Sequence, residues 1–78
     1  MNKLKAGHVL TNGATVIDHD TSHSLVFAYW HKGDEVEYMS WAYDANTGTT
    51  YWGDYYTGSN FPEACKSYCK RLGKTWAQ

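Results

Sequence analysis

β-Branched and aromatic residues recur in short runs through the centre of the chain, broken only at Gly33-Asp34 and Asn46-Thr47-Gly48. Runs of this kind between Gly, Asp and Asn read as strands joined by hairpins. The pattern predicts strands over 25–31, 35–44 and 49–56, arranged as an antiparallel meander. Gly48 supplies the positive φ that the second turn needs. Ahead of them Ala14–Asp18 (ATVID) alternates and is β-branched, predicting a first strand over 14–18 after the hairpin-type signal Asn12-Gly13. His19–Ser24 (HDTSHS) reads as a polar connection. Residues 1–13 are weakly patterned, with His8-Val9-Leu10 as a short edge strand or lead-in.

The period changes after Thr57. Phe61, Ala64/Cys65, Tyr68/Cys69 and Leu72 recur at three and four residues and predict a helix over about 61–72. Ser59 or Asn60 can cap it, Pro62 suits its first turn, and Glu63 meets the positive end of its dipole. Gly73 ends it. The expectation is a single α+β domain over 1–78, an antiparallel four-stranded β-meander with one C-terminal α-helix packed on one face.

Pairing about the two hairpins sets Trp30 opposite Glu37, Val26 opposite Trp41, and Trp41 opposite Trp52. One face then carries Val26, Ala28, Trp30, Glu37, Met39, Trp41, Tyr43, Trp52, Asp54 and Tyr56. The other carries Leu25, Phe27, Tyr29, Val36, Tyr38, Ser40, Ala42, Tyr51, Gly53 and Tyr55. It has no charge, and its small pair Ser40 and Gly53 could admit a helix closely. The helix is therefore expected there, leaving the tryptophan face partly open. A slip of one residue would exchange the faces.

Size sharpens that expectation. A 78-residue chain buries only about 60% of its unfolded surface. Ten of its thirteen aromatic residues lie between Leu25 and Tyr56, and one helix cannot roof both faces of a sheet. Surface is left over for a partner.

The net charge of −1 argues against non-specific nucleic-acid binding by the whole chain, but it averages an uneven distribution. All eight acids lie between Asp18 and Glu63, where Lys32 is the only base. The other bases, Lys3, Lys5, Lys66, Lys70, Arg71 and Lys74, sit at the two ends, which suggests distinct partner-facing surfaces. Lys3 and Lys5 are not followed by the continuous apolar run of a signal peptide, and no run approaches membrane-spanning length. Two cysteines are too few for a secreted disulfide framework. A cytoplasmic protein is expected.

Chemistry-bearing residues are sparse. His19 and His23 flank Asp20, but on an extended segment that spacing does not turn both imidazoles to one side. Ser22-His23 lacks a glycine-flanked nucleophile turn. Cys65 and Cys69 share a helix face, where free cysteines pack as small hydrophobes. No phosphate loop, dinucleotide fingerprint or zinc-finger spacing is present. The expectation is no catalytic residue, no metal and no cofactor. Lys66, Lys70, Arg71 and Lys74 could contact phosphates as a salt-sensitive alternative site. A solvated outer helix face at the negative end of the dipole explains the same cations and is the favoured reading. Base stacking on the aromatic sheet is disfavoured by the acids beside it.

At Tyr38–Tyr56 (YMSWAYDANTGTTYWGDYY), followed by an Ala-containing helix, the chain resembles small uncharacterised proteins of phages and bacteria. Their pattern is a strand with Trp, a Thr-Gly hairpin, Trp-Gly-x-Tyr-aromatic, then a helix. The resemblance covers about half the chain and implies no activity or site residue. By size and surface it suggests a host-directed inhibitor, of which the anti-CRISPR class is an example.

The sequence thus points to a small non-enzymatic interaction protein. Trp30, Trp41, Tyr43, Trp52 and Tyr56 would anchor the contact, while Glu37 and Asp54 steer it to a basic surface. A host protein that normally holds nucleic acid would offer such a surface, and a symmetric dimer is the conservative form of the claim.

Overall fold

The computed structural model describes residues 4–73. Four strands, β1 (Thr15–Asp20), β2 (Leu25–Lys32), β3 (Glu35–Asp44) and β4 (Thr49–Thr57), form one antiparallel sheet in the order β1-β2-β3-β4. A 3₁₀ turn over Gly58–Asn60 leads into α1 (Phe61–Arg71). The α+β meander with one C-terminal helix is as the pattern predicts.

Local chemistry accounts for the second and third reversals. The β2–β3 hairpin turns on Gly33 at φ 62° and Asp34, with Lys32 paired to Glu35. In the β3–β4 turn the Asp44 carboxylate accepts from the Asn46 N–H, and the Asp44 carbonyl accepts from the Gly48 N–H, at 2.9 and 2.7 Å. Helix α1 has Pro62 and Glu63 in its first turn, but neither Ser59 nor Asn60 gives a side-chain cap. The 3₁₀ turn ahead of it supplies the entry instead. Leu72 caps the other end, and Gly73, at φ 74°, follows it.

Helix α1 covers the expected side of β2 and β3. Leu25, Phe27, Ala64, Tyr68 and Leu72 form one core, flanked by Ile17, Tyr38, Tyr56 and Cys65. Phe27 and Tyr68 stack at 5.0 Å between centroids. Each ring withdraws about 200 Å² from water, worth roughly 5 kcal/mol before entropy is counted. Burial pushes the Cys65 thiol above its ordinary range, with the neighbouring Cys69 adding to the effect.

The tryptophan face is not open. Val26, Ala28, Met39, Trp41 and Tyr43 form a second core with Val16, Leu10 and Ala14, and Leu4 packs against it. The N-terminal segment is the roof that the sequence pattern does not reveal. Its Leu10 N–H donates to the Ala14 carbonyl, and the Leu4 N–H donates to His19 Nδ1 at 2.9 Å. His19 lies inside β1 rather than in a polar connection, and is 1% exposed. Apolar side chains at irregular spacing close this side by wrapping over it, without forming a regular element.

A second departure lies in β4. Its register with β3 shifts between Ser40 and Ala42, so that Trp52 and Gly53 together face Trp41. This is a β-bulge, which reverses the side-chain alternation beyond it. Asp54 and Tyr56 consequently pair with Ser40 and Tyr38 on the helix side, not on the tryptophan face as expected. Tyr55 pairs with Met39 on the opposite side.

Candidate interaction site

The bulge carries Trp52, the most exposed large apolar side chain among the described residues. Trp52 adopts φ 54°, the left-handed region, although it carries a full side chain. A bulky L-residue there is a genuine outlier, costing roughly 1–2 kcal/mol. Gly53 follows because the Trp41 indole lies directly over it, and a Cβ at Gly53 would overlap that ring. The buried Trp41 donates from Nε1 to the Tyr55 hydroxyl at 2.8 Å. Trp41 thus fixes the bulge, and the bulge turns Trp52 outward.

Trp52 is 81% exposed, and Tyr51 and Tyr55 are 41% and 50% exposed on the same strand. Tyr51 meets the Trp52 ring edge-on at 5.1 Å. Strand β4 lies at the end of the sheet order, so its outer edge pairs with no other strand among the described residues. Strained conformations persist only where surrounding contacts enforce them, and they concentrate at functional sites.

The residues expected to form one contact face are dispersed. Trp30 is half-buried, edge-on to Trp41 at 5.5 Å, with Lys32 Nζ 5.4 Å from its ring. Glu37 bonds that same lysine at 3.0 Å. Trp41 and Tyr43 belong to the roofed core, at 3% and 8% exposure, and Tyr43 packs edge-on against His19. Asp54 lies on the helix side, 3.2 Å from Ser67 Oγ and 3.9 Å from Arg71 Nη1. Tyr56 packs against the helix core. Of these seven residues only Trp52 and Asp54 are exposed, Trp52 the more so at 81%. Tyr51 pairs with Ala42 on the helix side, where the pairing argument placed it, yet stays exposed, whereas Tyr55 was expected on that side and pairs with Met39 on the other. The legible signal for the bulge was Gly53, an isolated glycine in a strand.

The alternative cationic site is partly committed to the fold. Arg71 Nη1 donates to the Ser40 carbonyl at 2.8 Å and to Ser40 Oγ at 3.1 Å, beside the bulge. Lys66 lies 3.9 Å from Glu63, and Lys70 is exposed. A shallow groove of about 370 Å³ between α1 and β4 has Asp54 and Glu63 on its walls with these cations, which weakens it as a phosphate site. Lys74 lies outside the described residues.

The histidines are not brought together as a ligand pair. His19 faces the N-terminal roof, whereas His23 is exposed in the β1–β2 turn with Nδ1 3.0 Å from Asp20. Among the described residues no group of three His, Cys, Asp or Glu could hold a metal ion, and no helix is long and apolar enough to cross a membrane. No protein-family model, curated protein or solved structure matches the chain.

Proposed function

We propose that the protein is a small non-enzymatic interaction module whose contact element is the outer edge of β4. The observation that carries this reading is Trp52, held at φ 54° and left 81% exposed. A sheet that spends backbone strain to point its largest ring into water gains nothing for its own core. Trp and Tyr are also the side chains most enriched at binding hot spots. The steering role expected of Glu37 and Asp54 is reduced by Lys32 and Arg71 beside them. The finer reading is a phage or mobile-element inhibitor occluding a host nucleic-acid-binding protein in the cytoplasm, and it rests on the resemblance in size and surface.

Immobilised wild-type protein and Trp52→Gly, exposed to host lysate at low and high salt, test the module. A specific partner retained at high salt by the wild type and lost by the variant supports it. A partner retained equally by both contradicts it, as does an oligonucleotide shift that survives Trp52→Gly and is abolished by Lys70→Glu.

A further inference from the structure

We infer that a second copy of this chain is a partner of the β4 edge, and that two copies join there about a two-fold axis. The inference rests on the reading of β4 as the contact element and names its occupant.

The two edges of the sheet are treated differently. Along β1, the Gly7 N–H donates to the Val16 carbonyl and the Val16 N–H to the His8 carbonyl, each at 2.8 Å, and Val9 bridges Thr15. The rest of β1 is bulged between Val16 and Asp18 and carries Asp18 and Asp20. Pairing, bulges and charges are the devices that blunt an edge. Strand β4 (TTYWGDYYT) has no lysine or proline and one acid. With one edge blunted and one open, edge-to-edge association closes at two copies instead of growing into a filament.

The bulge selects the register. It separates Thr49–Tyr51 from Gly53–Thr57, and the longer, unbroken half can pair antiparallel with itself about Tyr55. Tyr55 then meets its own copy on one side of the sheet, while Asp54 lies beside the second copy's Tyr56 on the other. Trp52 reaches the second copy's Thr57-Gly58 turn.

Charge and area agree with this arrangement. Arg71 and Ser67 already attend Asp54, so the two aspartates are not left as bare like charges. Helix α1 begins beside the C-terminal end of β4 and reaches Asp54 with Ser67 and Arg71. It therefore runs back along the strand. A two-fold axis normal to the sheet sets the two helices antiparallel, the Glu63 end of one toward the Lys70 end of the other. The exposed fractions of Trp52 and Tyr55 amount to roughly 200–330 Å² per copy at about 150–250 Å² per aromatic. Two copies thus supply roughly half of the ~1,000 Å² that a specific interface must clear, and the paired Gly53–Thr57 segments add to it.

Sedimentation equilibrium of the full chain, from low micromolar to near-millimolar concentration, decides the point. The expected result is a monomer–dimer equilibrium with no larger species. Trp52→Gly should weaken it at least about tenfold, the loss of one modest ring contact per copy. Tyr55→Lys, which sets two cations together at the axis, should abolish it. If Tyr55→Lys fails to fold by circular dichroism, Trp52→Gly decides alone. A monomer throughout, open-ended assembly, or a dimer indifferent to the Trp52 change overturns the inference. A monomer that still captures a foreign partner through Trp52 overturns the dimer and leaves the interaction module standing.

Discussion

Replacing Trp52 separates backbone strain from side-chain burial, because glycine and alanine both remove the ring and differ only in what the left-handed region costs them. At an ordinary strand position glycine is the worse of the two by roughly 0.5–1 kcal/mol. At φ 54° alanine bears a steric penalty of roughly 1–2 kcal/mol that glycine escapes. The order should therefore invert, with Trp52→Gly more stable than Trp52→Ala by about 1 kcal/mol after the entropy of glycine is subtracted. The ring itself matters little to folding. With 81% of the residue in solvent, about 50 Å² is covered, worth roughly 1 kcal/mol. Trp52→Gly should thus fall close to wild type and Trp52→Ala below both. Urea unfolding at low micromolar concentration, followed by far-ultraviolet circular dichroism, measures the difference. In thermal melts it corresponds to about 4–8 °C for a domain of this size. An alanine variant as stable as the glycine variant would refute the strained bulge.

Three further changes probe what holds β4 and α1 in place. Tyr68 donates its hydroxyl to Asp18 Oδ2 at 3.0 Å, and burial, reinforced by the charge of Asp18, raises its ionisation above the ordinary value of 10.0. Tyr68→Phe should cost about 1.5–3 kcal/mol at neutral pH, as for a hydrogen bond to a charged group. A raised pKa stabilises the fold below the unfolded value and loses that contribution above it. The gap between wild type and Tyr68→Phe in urea titrations should accordingly narrow as pH rises past about 10, tyrosine's unperturbed value, and a gap independent of pH would contradict the assignment. Arg71→Ala removes both hydrogen bonds from Nη1 to Ser40 and should destabilise by about 1–3 kcal/mol, whereas Lys70→Ala on the exposed side should stay within ~0.5 kcal/mol in the same melts. Gly53→Ala drives a methyl into the Trp41 indole and should cost about 1–3 kcal/mol, with a changed Trp41 indole resonance in the nuclear magnetic resonance spectrum.

What the sequence disclosed and what it concealed follow from the range of the interactions involved. The β2–β3 hairpin was legible because Gly33-Asp34 sets the register locally, and Val26 indeed faces Trp41 and Trp30 faces Glu37. The helix side followed from that register, since Leu25, Phe27 and Ser40 lie under α1. The alternation argument fails at Trp52-Gly53, where one extra residue exchanges the sides of Asp54, Tyr55 and Tyr56. No local propensity favours tryptophan in a left-handed bulge. The bulge is built around Trp41, eleven residues before Trp52, whose indole leaves no room for a side chain at Gly53, a close approach that only the assembled sheet reveals. The N-terminal roof escaped for a related reason. Leu4, Leu10 and Ala14 have neither strand nor helix period, and their burial depends on Met39 and Trp41 lying beneath them. The aromatic surplus did leave a ring in water, but on the edge of the sheet rather than its face.

The central claim is that Trp52, and not the rest of the tryptophan face, meets the outside. Fluorine resonances of 5-fluorotryptophan-labelled protein, diluted until monomeric and titrated with a soluble paramagnetic agent, test it most directly. The account predicts strong broadening at Trp52, an intermediate effect at Trp30, and almost none at Trp41. Equal broadening of Trp41 and Trp52, or a Trp52 signal sheltered in the monomer, would contradict it.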